Sequence, residues 1–130
     1  MVTDPIADFI NRIKTAQMAG LPSILVPFSK LKFEIAELLV REDYALKVEK
    51  KGKKAKKYLN LFLKYNDGKP EVQGVTRLSK PSRRTYLKVS DIKAVKNGHG
   101  LLVLSTPKGL MGGKQAKKEK MGGEALFSIW

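Results

Sequence analysis

The chain has 130 residues, of which 26 are Lys or Arg and 12 are Asp or Glu, for a formal net charge of +14. With 42% hydrophobic residues it can bury one ordinary core or two small ones, which excludes disorder throughout. No cysteine is present, so disulfides and thiolate zinc sites are excluded, and so large a charge excess costs stability by self-repulsion unless a polyanion neutralises it.

Asp4-Pro5 is a helix start, a side-chain acceptor followed by a proline whose φ is preset for the first helical position. Ile6, Phe9, Ile10 and Ile13 recur at helical steps, so residues 4–19 are predicted as an amphipathic helix stopped by Gly20. The opening stretch lacks a basic region followed by an apolar run, and no apolar stretch approaches the ~20 residues a bilayer span needs. A soluble, cytoplasmic protein is expected. Ser23–Phe28 reads as a short strand cut off at Pro27, and Ser29 can cap a second helix from Lys30 to about Asp43. From Tyr44 the period shifts towards two, and YALKVEKK, a basic loop GKKAK and YLNLFLKY read as a β-hairpin. The turn cluster Asn66-Asp67-Gly68-Lys69-Pro70 suggests a domain junction, giving an N-terminal α-β-α-β-β lobe over residues 1–66 and a C-terminal lobe over 67–130.

Past that junction, EVQGVTRLS and RRTYLK read as strands around a break at Lys80-Pro81-Ser82. VSDIKAVKNG offers Ser90 as a cap, a brief helix and Gly98 as its end. LLVLST is a continuous apolar run, hence a buried strand. GKQAKKEKM reads as a short polar helix between two glycine pairs, and EALFSIW as an alternating closing strand. The fold class is α+β in two small lobes, the second mostly β with short helices.

Catalysis finds little support. His99 is the sole histidine and sits between glycines as a turn residue would. No carboxylate pair flanks a nucleophile, no ligand spacing fits a metal, and GLMGGK lacks the P-loop ending, so neither a metal nor a cofactor is expected. Positive charge instead gathers in patches. The hairpin lysines, including Lys53, Lys54, Lys56 and Lys57, suit either phosphate contact or a solvated surface. RLSKPSRRTYLK brings Lys80, Arg83 and Arg84 together with Tyr86, either an edge strand guarded by charge or cations interleaved with a ring that stacks on single-stranded or bulged RNA. Arg12, Lys14 and Lys30 belong to the two helices, and Lys108 to the tail region. Ser105 and Thr106 close a rigid strand and can present hydroxyls to base edges or 2′-OH groups. Gly109 and the pair Gly122-Gly123 can admit a nucleic-acid backbone, beside Glu124 as an acceptor.

TDPIADFINRIKTA, VPFSKLKFEIAELL, RLSKPSRRTY, GLLVLSTPKG and MGGEALFSIW resemble, in order and spacing across nearly the whole chain, the bacterial small-subunit ribosomal protein eight family. The resemblance implies a two-lobed α+β protein, without enzymatic activity, that binds a stem in the central domain of small-subunit ribosomal RNA during early assembly. It also implies neighbouring small-subunit proteins as partners, a monomer outside the cytoplasmic ribosome, no membrane association and, in several members, repression of the protein's own operon through messenger RNA. The family's specific contacts fall here on Ser105, Thr106, Lys108, Gly109, Tyr86 and Gly122 to Glu124, with the first helix (Asp4, Asn11, Arg12, Lys14) facing another RNA segment. Three positions depart from the family pattern. Pro107 stands where a serine is usual, Ser82 where a glycine follows Lys-Pro, and Gly112-Gly113 where a hydroxyl or acidic cap precedes the last helix. The alternative from composition alone is a generic polyanion binder acting on duplex DNA or anionic lipid.

Overall fold

A computed structural model describes residues 4–93 and 100–130. Two compact units are present, one made of residues 8–73 and the other of residues 1–7 with 74–130. Together they are α+β, with antiparallel sheets and helices on them.

The unit of residues 8–73 contains most of helix α1 (Pro5–Met18), then strand β1 (Ser23–Pro27), helix α2 (Lys30–Arg41), and the hairpin β2 (Ala45–Lys53) and β3 (Lys56–Leu63). The sheet order is β1-β3-β2. Leu59, Leu61 and Leu63 of β3 alternate inward with Ile24 and Val26 of β1, and they are buried together with Ile10, Ile13, Ile35, Leu38 and Leu39 of the helices. Gln17, only 2% exposed, donates from Nε2 to the Lys64 carbonyl and accepts the Val72 N–H, each at 2.9 Å, so its polar groups are satisfied inside the unit.

Both helix signals read from the sequence act as expected. The Ser29 hydroxyl accepts the Lys32 N–H at 3.1 Å, and Gly20 takes φ +73° where the chain leaves α1, with Leu21 N–H donating to the Ala16 carbonyl. Helix α2 ends at Arg41, short of Asp43. There Asp43 adopts φ 68° while its own N–H and that of Tyr44 close back on the Val40 and Leu39 carbonyls.

The basic segment 52–56, expected as a loop, is largely strand. Lys53 pairs with Lys56 across a turn of Lys54 and Ala55, and Gly52 makes this possible. A Cβ at Gly52 would lie 2.0 Å from the Lys56 carbonyl oxygen, and its φ of +100° favours glycine. The cluster at residues 66–70 forms a miniature hairpin, β4 (Tyr65–Asn66) with β5 (Lys69–Pro70), turning through Asp67 and Gly68 at positive φ.

The other unit is built on a sheet of β6 (Val75–Arg77), β7 (Tyr86–Leu87), β8 (Leu101–Thr106), β9 (Gly109–Gly112) and β10 (Gly123–Ile129). Strand β10 is central, with β8 and then β9 along one side and β6 and β7 along the other. Ala125 through Ile129 are all buried, instead of alternating as expected. Leu126 is an extra residue in the ladder with β8, and its carbonyl receives the Leu78 and Ser79 N–H groups. Helix α3 (Gly113–Lys118) packs on β8 and β9 over a core of Leu102, Leu104, Met111, Ala116, Ala125 and Ile92. Its cap, Gly112, supplies no side-chain hydrogen bond.

Two expectations are revised here, and one stretch to which the sequence assigned no element gains one. GLMG is strand β9, because β8 supplies a partner through Val103 to Thr106. The strand expected over EVQGVTRLS is confined to Val75–Arg77. Ser90 does not cap a helix but lies inside a 3-10 turn, Val89–Asp91, where the Asp91 carboxylate accepts the Lys88 N–H. Ile92 and Lys93 continue without helix, and residues 94–99, which include the expected stop Gly98 and the turn residue His99, lie outside the described residues.

Asp4 works within this unit. Its carboxylate accepts the Ala7 N–H at 3.2 Å as the cap of α1, and takes two hydrogen bonds from Arg77, from Nε at 3.0 Å and from the far terminal nitrogen at 3.2 Å. Burial pulls this carboxyl's pKa upward, but the Arg77 hydrogen bond, the backbone donors and the Arg77 charge outweigh it and hold it below the usual range.

Candidate nucleic-acid interface

The register of the second sheet gathers residues distant in sequence into one row. Glu124 lies opposite Ser105 on β8 and opposite Tyr86 on β7, and Ser105 in turn lies opposite Leu110 on β9. Directly paired residues share a face. Because Leu104, Met111 and Ala125 point into the core beneath α3, the row Tyr86–Glu124–Ser105–Leu110 lies on the opposite face. Tyr86 is 70% exposed, leaving a ring face open for stacking.

Glycine makes this row compact. A Cβ at Gly123 would stand 2.3 Å from the Ser105 carbonyl oxygen, and one at Gly122 the same distance from that of Leu87. Both glycines thus let β8 and β7 close on β10, an internal role that sequence reasoning did not assign. Gly109 differs, since nothing approaches its missing Cβ, yet φ of +111° fits the turn that returns β8 into β9.

The same turn engages Thr106. This residue is buried at 8% exposure, and its hydroxyl donates to the Gly109 carbonyl at 2.8 Å while accepting the Lys108 N–H at 3.2 Å. Thr106 therefore braces the turn instead of presenting a free hydroxyl, whereas Ser105 is half-buried on the row. Pro107 and Lys108 form the exposed tip, and proline there forgoes an N–H that no neighbouring strand needs.

Glu124 is held from two directions. Its Oε2 accepts from the Ser79 hydroxyl at 2.5 Å and from Arg84 at 3.2 Å. Ser79, with no exposure, also accepts the Thr85 N–H at 2.9 Å. It thereby fixes the loop in which Lys80 and Arg83 exchange backbone hydrogen bonds around the exposed Pro81-Ser82 turn. Sequence reasoning missed Ser79. No local pattern distinguishes a serine before Lys-Pro, and its importance comes from a carboxylate 45 positions away. Arg84 offsets the Glu124 charge, leaving Lys80, Arg83, Lys88 and Lys108 as exposed cations around the row.

The remaining expected residues fall elsewhere. Asp4 is committed to Arg77 and the helix cap. Asn11 and Arg12 are exposed on α1, Lys14 is half-buried there, and Lys30 is exposed at the start of α2. Lys53, Lys54, Lys56 and Lys57 all project into solvent from the end of the β2–β3 hairpin. Below them Lys50 lies over the Phe28 ring at 4.7 Å and Lys47 over Phe62 at 4.5 Å. Among the described residues no group of His, Cys, Asp or Glu is placed to hold a metal ion, and no helix is long and apolar enough to cross a membrane.

Comparison with known sequences gives a consistent picture. A family model described as Ribosomal protein S8 matches residues 4–130. Small ribosomal subunit protein uS8 of Dictyoglomus turgidum is 45% identical over 129 residues, covering 99% of this chain and 98% of that relative. The protein of the same name from Nitratidesulfovibrio vulgaris is 44% identical over 130 residues and covered in full, and that of Mycoplasma mobile is 41% identical over 130 residues, 98% of its length.

Proposed function

The chain belongs to the ribosomal protein S8 family, and from that premise we propose that it is a structural constituent of the cytoplasmic small ribosomal subunit that binds small-subunit ribosomal RNA directly. Its work is binding, not catalysis. The observation that carries this reading is the row Tyr86–Glu124–Ser105, rigidly paired across three strands and ringed by exposed cations.

Each part has a physical role. Tyr86 stacks on an unpaired base, and Ser105 offers a donor and acceptor to a base edge or a 2′-OH. The Lys108 turn, braced by Thr106, brings a cation and the Cβ-free Gly109 to the backbone. Lys80, Arg83 and the hairpin lysines Lys53, Lys54, Lys56 and Lys57 hold phosphates without reading sequence. Asn11, Lys14 and Lys30 of the other unit meet a further RNA segment. The target is an irregular stem of the RNA's central domain, bound early in assembly by a monomeric protein. The same surface represses translation of the protein's own operon by taking a similar stem in messenger RNA.

Affinity measured at one fixed salt concentration for the central-domain stem, a scrambled stem of equal length and duplex DNA tests the reading. A clear preference for the stem supports it. Equal affinities would reduce the protein to a generic polyanion binder. Competition between that stem and a messenger leader stem for one site tests the regulatory part.

A further inference from the structure

Exposed apolar surface is concentrated where α1 passes into β1. Met18 is 76% exposed, Leu21 48% and Leu25 51%. Beside them runs a groove of about 390 Å³, lined by Arg12, Ala16, Ala19, Leu21, Ile24 and Leu25 among others. Its surface is chiefly aliphatic, with one guanidinium at its wall, and among the described residues no carboxylate pairs with Arg12.

The groove runs along a free sheet edge. Strand β3 pairs with one side of β1, and among the described residues no strand pairs with the other. The ladder shows which groups are left over. Leu63 N–H donates to the Pro22 carbonyl and Phe28 N–H to the Lys57 carbonyl of β3, so by alternation Ile24 and Val26 turn their backbone groups towards β3. Ser23 and Leu25 turn theirs outward. Pro27 closes the free stretch, since it has no N–H and its carbonyl already faces Lys32 Nζ at 3.4 Å. What remains is a short edge on which Ser23 and Leu25 turn donors and acceptors outward, an apolar trough beside it, and the Arg12 cation at its wall.

We propose that this edge and groove dock an extended segment of a neighbouring protein in the small subunit. The segment adds a strand to β1 through Ser23 and Leu25, lays one large apolar side chain over Ala16 and Ala19, and sets an Asp or Glu against Arg12. A peptide fits better than RNA, because backbone amides match a strand edge, while one cation in an aliphatic trough cannot neutralise a run of phosphates. The inference rests on membership of the particle, proposed above, and not on which residues touch RNA.

The test uses the full chain, free and within purified small subunits. Amide hydrogen exchange at Ser23 and Leu25 slows at least about tenfold in the particle, and a photoreactive phenylalanine analogue at Leu21 crosslinks to a protein segment bearing an apolar residue near an acidic one. Arg12→Glu, a change on an exposed helix face, lowers that crosslink yield, and Arg12→Lys, which keeps the charge, retains most of it. Leu25→Pro removes an outward N–H and the side chain, sparing every bond to β3, and abolishes the protection at Ser23. Unprotected amides in a particle that contains the chain would overturn this inference alone. So would crosslinks to RNA, a dimer of the free protein through this edge, or an undiminished crosslink yield in Arg12→Glu. Exclusion of the chain from small subunits would overturn both this inference and the proposed function.

Discussion

Ser79 donates its hydroxyl hydrogen to the Glu124 carboxylate while accepting the Thr85 N–H, and it does so with no solvent exposure. One small side chain thus ties the Lys80–Arg83 turn to the central strand that carries Glu124 of the proposed RNA-binding row. Ser79→Ala removes both bonds from a buried site, and leaves Glu124 with Arg84 alone. A stability loss of about 1–3 kcal/mol is expected. Affinity for the central-domain stem should fall, while duplex DNA, which needs only charge, is bound as before. Thermal melting and the two affinities measured on one preparation check this.

The row itself predicts an ordering of substitutions. Tyr86→Ala should weaken stem binding by about 1–3 kcal/mol through lost stacking, and Tyr86→Phe should retain most of it. Ser105→Ala should weaken the stem selectively with little effect on folding, because among the described residues its hydroxyl makes no hydrogen bond within the sheet. Thr106→Ala should instead lower stability as well, by about 1 kcal/mol, since its hydroxyl holds the turn. If Ser105→Ala and Thr106→Ala prove indistinguishable in melting, the division of roles is wrong.

Glycine substitutions separate packing from conformation. Gly123→Ala sets a methyl against the Ser105 carbonyl oxygen, in a backbone contact that cannot move cheaply. It should cost several kcal/mol, at the upper end of single-residue effects. Gly109→Ala meets open space but keeps a φ of +111°, so its cost should be nearer 1–2 kcal/mol, from strain alone. Denaturant midpoints of the two variants should fall in that order.

Much of the fold is legible because local chemistry and global packing agree. Asp4-Pro5, Ser29 and Gly20 mark helix ends by mechanisms that operate within a few residues, and LLVLST is apolar enough to demand burial. Elsewhere the deciding partner is distant. GLMG becomes a strand only because β8 lies beside it. The hairpin continues through a lysine-rich stretch because Gly52 admits the Lys56 carbonyl. Strand β10 departs from alternation where Leu126 adds a bulge opposite β8, which no local pattern announces. The candidate site shows the same division. Ser105, Glu124 and Tyr86 stand out by residue type, but their common row depends on register, which composition does not carry. Ser79 was illegible for the same reason, and Thr106 gave no sign that its hydroxyl would be taken up by its own turn.

Acid should expose the Asp4–Arg77 pair. The Asp4 carboxyl is held below its ordinary pKa in the folded chain, so it contributes stability that is complete above the unfolded value, about 4, and is lost as pH falls through the lower folded value. Asp4→Asn should cost about 1–3 kcal/mol near neutrality, leaving the largely buried Arg77 without its anion. The gap between wild type and variant should close as pH drops below the unfolded value. Denaturant titrations at pH 7 and at pH 3 measure it, and a gap independent of pH would dissociate the pair from stability.

Charge in the hairpin should act without discrimination. Replacing Lys53, Lys54, Lys56 and Lys57 with Gln should lower affinity for cognate and scrambled RNA alike. Each lost phosphate contact should flatten the salt dependence by about 0.7–0.9 in the logarithmic slope. An unchanged slope would mean that the exposed hairpin end does not meet RNA.

The most direct measurement is a titration of the isotope-labelled chain with central-domain stem RNA, followed through its backbone amide resonances. The largest perturbations should fall on Tyr86, Ser105 to Gly109 and Gly122 to Glu124, with smaller ones at the hairpin lysines, and a scrambled stem should move only the latter. Perturbations confined to residues 50–57, with the Tyr86–Glu124–Ser105 row unmoved by the cognate stem, would contradict the account.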